Sequence, residues 1–168
     1  MCLNFLYVIL GYASSLTKQE RRFDCWVPFI IGILSVCYAM ATPRDVQYEF
    51  IKDIIPFIGT LMGFTLATLT LLLSSSNMVT KTKEYPTSRT IRGKKITMYE
   101  LLVVFFSHLI IMEALLCMVY YIAFLFPVIT WEIGSYIGNT VFIMGIFHVL
   151  FTTIRTVANM YFIAIGLR

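Results

Sequence analysis

The sequence predicts an all-α membrane protein, a polytopic bundle of four transmembrane helices with a short apolar helix at its N-terminus. Of its 168 residues, 59% are apolar and only 13% are charged, whereas soluble domains are about half apolar and a quarter charged. Four segments are apolar over about 17–25 residues, the length that crosses a hydrocarbon core of about 30 Å. These runs are continuous rather than alternating, which favours helices over barrel strands. A single integral membrane domain over residues 1–168 is therefore predicted.

The predicted spans cover residues 25–41, 54–76, 101–126 and 133–154. Pro28 falls in the first turn of the first span, where proline is tolerated, and Pro127 closes the third. Residues 2–17 are either a fifth, short span or a helix that lies in the membrane interface. The tail after Arg155 either extends the last helix or lies on the membrane surface, and Arg155 itself is expected to reach the headgroups by snorkelling.

The placement of lysine and arginine predicts the orientation. Segment 18–24, the basic loop 77–99 and the C-terminal tail hold all but two of the 13 basic residues, Arg44 and Lys52. Because cytoplasmic loops carry an excess of these residues, loop 77–99 is predicted to be cytoplasmic, with loop 42–53 on the other face. The sequence contains no N-x-S/T acceptor, which fits a bacterial source, so we expect the bacterial inner membrane.

Small side chains form seams along two of the spans, where another helix backbone can approach closely. The second span has Gly59, Gly63, Ala67, Thr70 and Ser74, and the fourth has Gly134, Gly138 and Gly145. The seams serve either packing within the chain or contact between copies and pore lining. A four-span chain has few internal faces to share, so we expect a homo-oligomer.

Glu113 lies near the middle of the third span, where an ionised carboxylate costs several kcal/mol and is usually functional. At a rise of about 1.5 Å per residue, its depth matches that of Gly63, where the carboxylate could approach the second-span seam. The alternative is a protonated carboxyl group that joins two helices through a Ser or Thr.

His108 and His148 belong to different spans but fall at similar depths. Facing each other, they would form a pair able to sense pH or bind a metal; otherwise each is hydrogen-bonded separately. No third ligand of the right type is evident, and the four cysteines include no CxxC motif, so no metal or cofactor is expected.

The basic loop contains six cations that could dock a partner or lipid: Lys81, Lys83, Arg89, Arg92, Lys94 and Lys95. They either rest on anionic lipid or form a docking surface for an acidic cytoplasmic protein or an anionic ligand. Direct binding to nucleic acid is not expected, because the basic residues flank apolar runs. The chain has no phosphate-binding GxxxxGKS motif and no catalytic arrangement of Ser, His, Cys or paired carboxylates, so it is predicted not to be an enzyme.

Residues 63–76, GFTLATLTLLLSSS, followed by a basic loop, resemble the second span of small four-span bacterial inner-membrane proteins, such as the membrane subunit of the Kiwa anti-phage system. The resemblance implies a defence-associated oligomer that works with a cytoplasmic protein. Small multidrug-resistance transporters also have four spans and one membrane carboxylate, but theirs lies in the first span, whereas Glu113 lies in the third.

Three functions are compatible with these features. The first is a homo-oligomeric membrane component that forms a pore, perturbs the bilayer or senses its state. The second is an anchor that recruits a cytoplasmic partner through loop 77–99. The third is a small proton-coupled transporter that uses Glu113.

Overall fold

A computed structural model describes residues 4–41, 44–74, 80, 82–83, 85–91, 93–125 and 132–164. This part of the chain contains five helices and one hairpin, so the predicted all-α class is confirmed. In chain order the elements are α1 (Asn4–Ser15), α2 (Lys18–Ala41), α3 (Arg44–Leu73), β1 (Pro86–Ile91), β2 (Lys94–Thr97), α4 (Met98–Leu125) and α5 (Glu132–Ala164).

The N-terminal apolar segment forms the short helix α1, which packs on α4 and against β1. Its 12 residues extend about 18 Å, well short of a hydrocarbon core of about 30 Å. The described helix is therefore too short for a fifth full span. Tyr12 enters the interior, whereas Phe5, Tyr7 and Leu10 are exposed.

Helix α2 begins seven residues before the predicted span, so the basic segment 18–24 is helical. A reciprocal capping box starts the helix: the Glu20 amide donates to Thr17 Oγ1 at 3.2 Å, and the Thr17 amide donates to Glu20 Oε2 at 2.9 Å. Pro28 consequently lies in the third turn and not in the first.

Helix α3 begins ten residues before the predicted span, and the predicted loop 42–53 is helical from Arg44 onward. The segment is polar but contains neither Gly nor Pro, and helix propensity does not depend on hydropathy. The sequence prediction therefore marks where the apolar part of the helix begins rather than where the helix itself begins. Residues 75–79, which include the predicted end of this span, lie outside the described residues.

The predicted loop 77–99 contains a β-hairpin that the sequence analysis missed. Strands β1 and β2 pair antiparallel, with Thr90 opposite Lys95 and Ile91 opposite Lys94. At the turn between them Gly93 has a φ of 78°, which glycine adopts without strain and which two-residue hairpin turns require.

Helix α4 agrees with the predicted third span to within three residues at each end. Helix α5 begins one residue before the predicted fourth span and continues unbroken to Ala164. The tail after Arg155 therefore extends the last helix. Residues 126–131, which would connect α4 to α5, lie outside the described part of the chain.

The long helices pack in the order α3, α4, α5, α2, and α1 lies on α4. The main core joins α3, α4 and α5 and comprises Ile55, Ile58, Leu72, Leu102, Phe106, Leu109, Leu116, Phe142, Ile146 and Val149. A smaller core holds α1 and the hairpin against the start of α4 and comprises Tyr12, Ile96, Met98, Leu101 and Phe105.

Among the described residues, three helical segments are long and apolar enough to cross a membrane: Lys52–Leu73, Met98–Ile122 and Gly138–Phe162. The predicted first span, residues 25–41, is not confirmed as a fourth. The side chains of residues 39 and 40, near the end of this predicted span, lie outside the described part of the chain.

Candidate functional site

A cluster of polar side chains lies where α1, α2, α4 and α5 meet. Helix α5 supplies three of them, spaced by four and then three residues, so that they share one helix face. Helices α1, α2 and α4 supply one each. We call the set the polar cluster; it comprises Tyr12, Asp24, His108, His148, Thr152 and Arg155.

Asp24 and Arg155 form a buried ion pair in this cluster. Nη1 of Arg155 lies 2.9 Å from Oδ1 and 2.7 Å from Oδ2 of Asp24. Only 4% of the Asp24 side chain and 17% of the Arg155 side chain are exposed. Removing two charges from water costs several kcal/mol per ion, and their attraction offsets this only when further hydrogen bonds complete the site.

The hydroxyl of Tyr12 supplies those further hydrogen bonds. It donates to Oδ2 of Asp24 at 2.7 Å and accepts from Nη2 of Arg155 at 2.6 Å. Oγ1 of Thr152 lies 3.1 Å away. A phenol has one hydrogen and accepts two bonds, so the third contact is a donation from Thr152 to Tyr12. One hydroxyl thus joins α1, α2 and α5.

The two histidines of the cluster contact each other, with their Nε2 atoms 3.1 Å apart. Nδ1 of His148 lies 3.4 Å from the main-chain oxygen of Asp24. Pro28, four residues after Asp24, has no N–H, so this oxygen lacks its usual partner within the helix. Because a carbonyl oxygen only accepts, His148 carries its hydrogen on Nδ1. When both rings are neutral, His108 then donates through Nε2.

Nδ1 of His108 is consequently left as an acceptor. His108 is 3% exposed, and Nδ1 has no hydrogen-bond partner among the described residues. Its ring stacks on Tyr12, with ring centroids 3.7 Å apart and planes 7° apart. The acceptor nitrogen Nδ1 of His108 is therefore buried beside the Asp24–Arg155 ion pair.

Arg155 does not reach the headgroups by snorkelling, as the sequence analysis expected. Helix α5 continues for nine residues beyond Arg155, so the residue lies inside the helix and not at its end. The guanidinium group faces inward and lies over the ring of Phe105, 5.1 Å from its centroid. Its Nε atom has no hydrogen-bond partner in the described part of the chain.

A second ion pair fixes the hairpin to the start of α2. Arg89 donates through Nη1 to Glu20 Oε2 at 2.9 Å and through Nη2 to Glu20 Oε1 at 2.7 Å. Nη1 also donates to the main-chain oxygen of Ser15, at the end of α1, at 3.1 Å. Such two-point contacts are the strongest ion pairs and fix orientation as well. We call this contact the hairpin clamp: Arg89, Glu20 and Ser15.

The protonation of Glu20 follows from this contact. Burial by itself raises the pKa of Glu20, but hydrogen bonds from Arg89 and Thr17 outweigh it and hold the pKa below its ordinary value of 4.5. Glu20 is therefore ionised at neutral pH. It caps α2 and binds the hairpin at the same time.

Glu113 lies apart from the polar cluster, fully buried between α3 and α4. Its Oε1 atom lies 3.1 Å from Oγ1 of Thr65, which also lies 2.9 Å from the main-chain oxygen of Leu61. A hydroxyl has one hydrogen, so a protonated Glu113 satisfies both contacts. Oε2 has no partner among the described residues. Glu113 does not approach the Gly63 seam, because Thr65 is on the opposite face of α3.

The seam residues of α3 do not pack against the described part of the chain. Gly59, Gly63, Ala67, Thr70 and Ser74 are all exposed, and a methyl group added at either glycine would meet nothing within 4 Å. The seam of α5 is divided: Gly138 faces open space, whereas a methyl group at Gly145 would lie 2.6 Å from Leu116 of α4. Gly134 lies in the first turn of α5.

The cations of the basic loop have different environments. Lys83, Lys94 and Lys95 are exposed, whereas Arg89 is turned inward in the hairpin clamp. Lys81 and Arg92 lie outside the described residues.

Sequence reasoning did not identify Tyr12 or Asp24 as site residues. Two signals were present: an aspartate directly before an apolar run that contains Pro28, and the spacing of His148 and Arg155 on one face of a helix. Neither signal indicates which partner lies opposite, because Asp24 and Arg155, which meet, are 131 positions apart.

No group of three or more His, Cys, Asp and Glu side chains in the described part of the chain is arranged to hold a metal ion. The chain matches no protein-family model, no curated protein and no solved structure.

Proposed function

We propose that the chain is a multi-pass protein of the bacterial inner membrane, with transmembrane helices α2 to α5, that works as a homo-oligomer assembled through α3. The exposed seam of α3 is the observation that carries the proposal. The described membrane segments of the chain leave this stripe of small side chains uncovered, and close helix contact is the usual role of such a stripe in lipid.

The hydroxyl groups along α3 support helix contact rather than a water-filled lining. Thr60, Thr68 and Thr70 donate to the carbonyl oxygens of Pro56, Phe64 and Leu66 in the preceding turn of their own helix. Their hydrogen-bonding needs are therefore met without water or another chain. A second α3 can approach this face without burying an unpaired polar group.

The hairpin clamp supports the proposed orientation, in which the basic segments 18–24 and 77–99 both lie on the cytoplasmic side. It joins segment 18–24 to the hairpin, so the two main basic segments lie at one end of the bundle, as a common cytoplasmic side requires. The likeness of residues 63–76 to defence-associated membrane proteins extends the proposal to an oligomer that perturbs or permeabilises the bilayer together with a cytoplasmic protein.

The test is the oligomeric mass in detergent and in nanodiscs. Ala67→Leu adds bulk to the α3 seam, whereas Ala114→Leu makes the same change at an exposed position of α4. We expect wild type and Ala114→Leu to form the same closed oligomer and Ala67→Leu to dissociate. A monomeric wild type, or equal masses for the two variants, would overturn the proposal.

Ion conductance in planar bilayers then separates a pore from an anchor. If the protein forms a pore, the wild type should conduct ions and Ala67→Leu should lose this conductance. An anchor should not conduct, and should bring down a stoichiometric soluble partner that is lost when Lys94 and Lys95 are both changed to glutamate.

A proton-coupled transporter is the second candidate, and Glu113 favours it. The carboxyl group is fully buried at mid-helix, with Oε2 lacking a partner among the described residues. Intramembrane carboxyl groups of this kind often carry protons. Liposomes loaded with a pH-sensitive dye provide the test: proton flux that Glu113→Gln abolishes supports transport, and flux that persists in that variant excludes it.

A further inference from the structure

The end of the molecule that carries the hairpin exposes cations from two segments that are distant in sequence. One segment surrounds the start of α2, and the other includes the hairpin and the residues before it. The exposed cations are Lys18, Arg21, Arg22, Lys83, Lys94 and Lys95. We call them the basic surface.

The acidic groups described at this end neutralise little of the basic surface, because internal contacts engage Glu20 and Asp24 and only Glu100 contacts one of its cations. Glu20 is held by Arg89, and Asp24 is buried against Arg155. Glu100 accepts from the Thr97 amide at 2.8 Å, at the start of α4. Glu100 also lies 3.8 Å from Lys94, whose side chain remains 80% exposed. The outward charge of this end is therefore strongly positive.

Arg89 assembles this surface without being part of it. Only 14% of its side chain is exposed, and its guanidinium group lies 5.8 Å from the centroid of Phe105. By binding Glu20 it holds the hairpin, and hence Lys94 and Lys95, at the end of the bundle where α2 begins.

Aromatic side chains place the basic surface at the level of lipid headgroups. Phe23 and Trp26 lie one and four residues after Arg22 on α2 and are 51% and 60% exposed. Exposed aromatic rings collect at the boundary between hydrocarbon and water. Cations one turn away from such rings lie within reach of phosphate groups, whereas a soluble protein would need cations further from the membrane.

We infer that the basic surface binds the headgroups of anionic phospholipids and that the Arg89–Glu20 contact holds its two halves together. Clusters of four to eight cations at the cytoplasmic end of membrane helices typically bind anionic lipid. The inference requires insertion in a membrane but does not depend on the oligomer proposed above. The two are therefore tested separately.

The test measures the association of spin-labelled phosphatidylglycerol with the full chain, relative to spin-labelled phosphatidylcholine, in phosphatidylcholine bilayers. We expect wild type to prefer the anionic lipid and to lose this preference at about 1 M salt, where charges are screened within about 3 Å. Each charge removed should weaken the association about five-fold. The variants Arg21→Gln/Arg22→Gln and Lys94→Gln/Lys95→Gln remove charges from either half of the surface.

Lys52→Gln is the matched control, since it removes an exposed cation near the other end of the bundle and should leave the preference unchanged. Arg89→Gln removes a mostly buried charge, yet it should lower the preference as much as Lys94→Gln/Lys95→Gln does, with helix content unchanged in circular dichroism. A preference that Arg89→Gln leaves intact would overturn the role of the clamp. Equal association of both lipids with wild type would show that the basic surface does not bind anionic headgroups. Its cations would then be available to bind an acidic protein.

Discussion

The hydroxyl oxygen of Tyr12 lies 2.6 Å from Nη2 of Arg155, although 143 residues separate the two in the chain. The contact joins the shortest helix to the longest and completes the Asp24–Arg155 ion pair. The stability of the described bundle therefore depends on one phenol group at a junction of helices.

Tyr12→Phe should destabilise the bundle while leaving its packing intact. The change removes the partner of Asp24, Arg155 and Thr152 but keeps the ring that stacks on His108. Leaving buried polar groups unpaired costs about 1–3 kcal/mol. Unfolding in mixed micelles measures the effect, with Tyr121→Phe as the control because Tyr121 is exposed. Equal midpoints for the two variants would show that the hydroxyl contributes nothing.

Asp24 and Arg155 should be strongly coupled in a double-mutant cycle. Either Asp24→Leu or Arg155→Met alone leaves one charge buried without its partner, at a cost of about 3–5 kcal/mol. The double variant removes both charges and should recover much of that loss. The free energies of unfolding of the four proteins give the coupling directly. Additive effects would mean that the two residues do not interact in the folded protein.

The hairpin clamp should respond to acid but not to pH changes near neutrality. The folded-state pKa of Glu20 lies below 4.5, so the clamp contributes its full stabilisation above that pH and loses it as the pH falls through the folded pKa. Amide hydrogen exchange in β1, corrected for the intrinsic rate, should be constant between about pH 5 and 8 and accelerate below. Glu20→Gln should exchange faster, without this acid transition. Acceleration already between pH 5 and 7 would contradict the assignment.

Glu113→Gln should be nearly neutral for stability, because the amide keeps the shape of a protonated carboxyl group and still donates to Thr65. Glu113→Ala should cost about 2–4 kcal/mol through the cavity and the lost bond. Thermal unfolding in micelles compares the variants. The infrared band of a protonated carboxylic acid, present in wild type and missing in Glu113→Gln, tests the protonation state independently. A loss of stability in Glu113→Gln as large as that in Glu113→Ala would indicate an ionised group.

Gly145→Ala should destabilise the contact between α4 and α5. The added methyl group would lie 2.6 Å from Leu116, and overpacking of this kind costs about 1–3 kcal/mol. Gly138→Ala, on the same helix and facing open space, should instead be neutral or slightly stabilising. Thermal unfolding of the two variants makes the comparison, and a smaller loss at position 145 than at position 138 would contradict the packing.

Hydropathy predicted which segments are helical better than it predicted where the helices begin and end. Helix α4 is apolar almost from end to end, so its predicted bounds agree with the structure, whereas α3 starts ten residues early because its first turns are polar. The hairpin was missed because its two short strands are stable only against the apolar surface of α1 and α4, and no local pattern encodes that surface.

For the candidate site, the most useful quantity from the sequence was the position of each residue along its predicted helix. It allowed His108 and His148 to be neighbours, and their rings are in contact. It also led to the wrong environment for Arg155, because depth does not tell which helix lies opposite. Arg155 binds Asp24 because α5 packs against α2. The spacing of residues within a single helix does not predict this packing.

The distance in sequence between Asp24 and Arg155 sets an order for the synthesis of the protein. Asp24 leaves the ribosome 131 residues before its partner, and burying a carboxylate without a partner inside the protein is costly. The first turns of α2 must therefore stay in contact with water while α3, the hairpin and α4 are made. When α5 is made, Arg155 pairs with Asp24, and Tyr12 can then form its hydrogen bonds to both side chains. The C-terminal helix therefore completes the bundle.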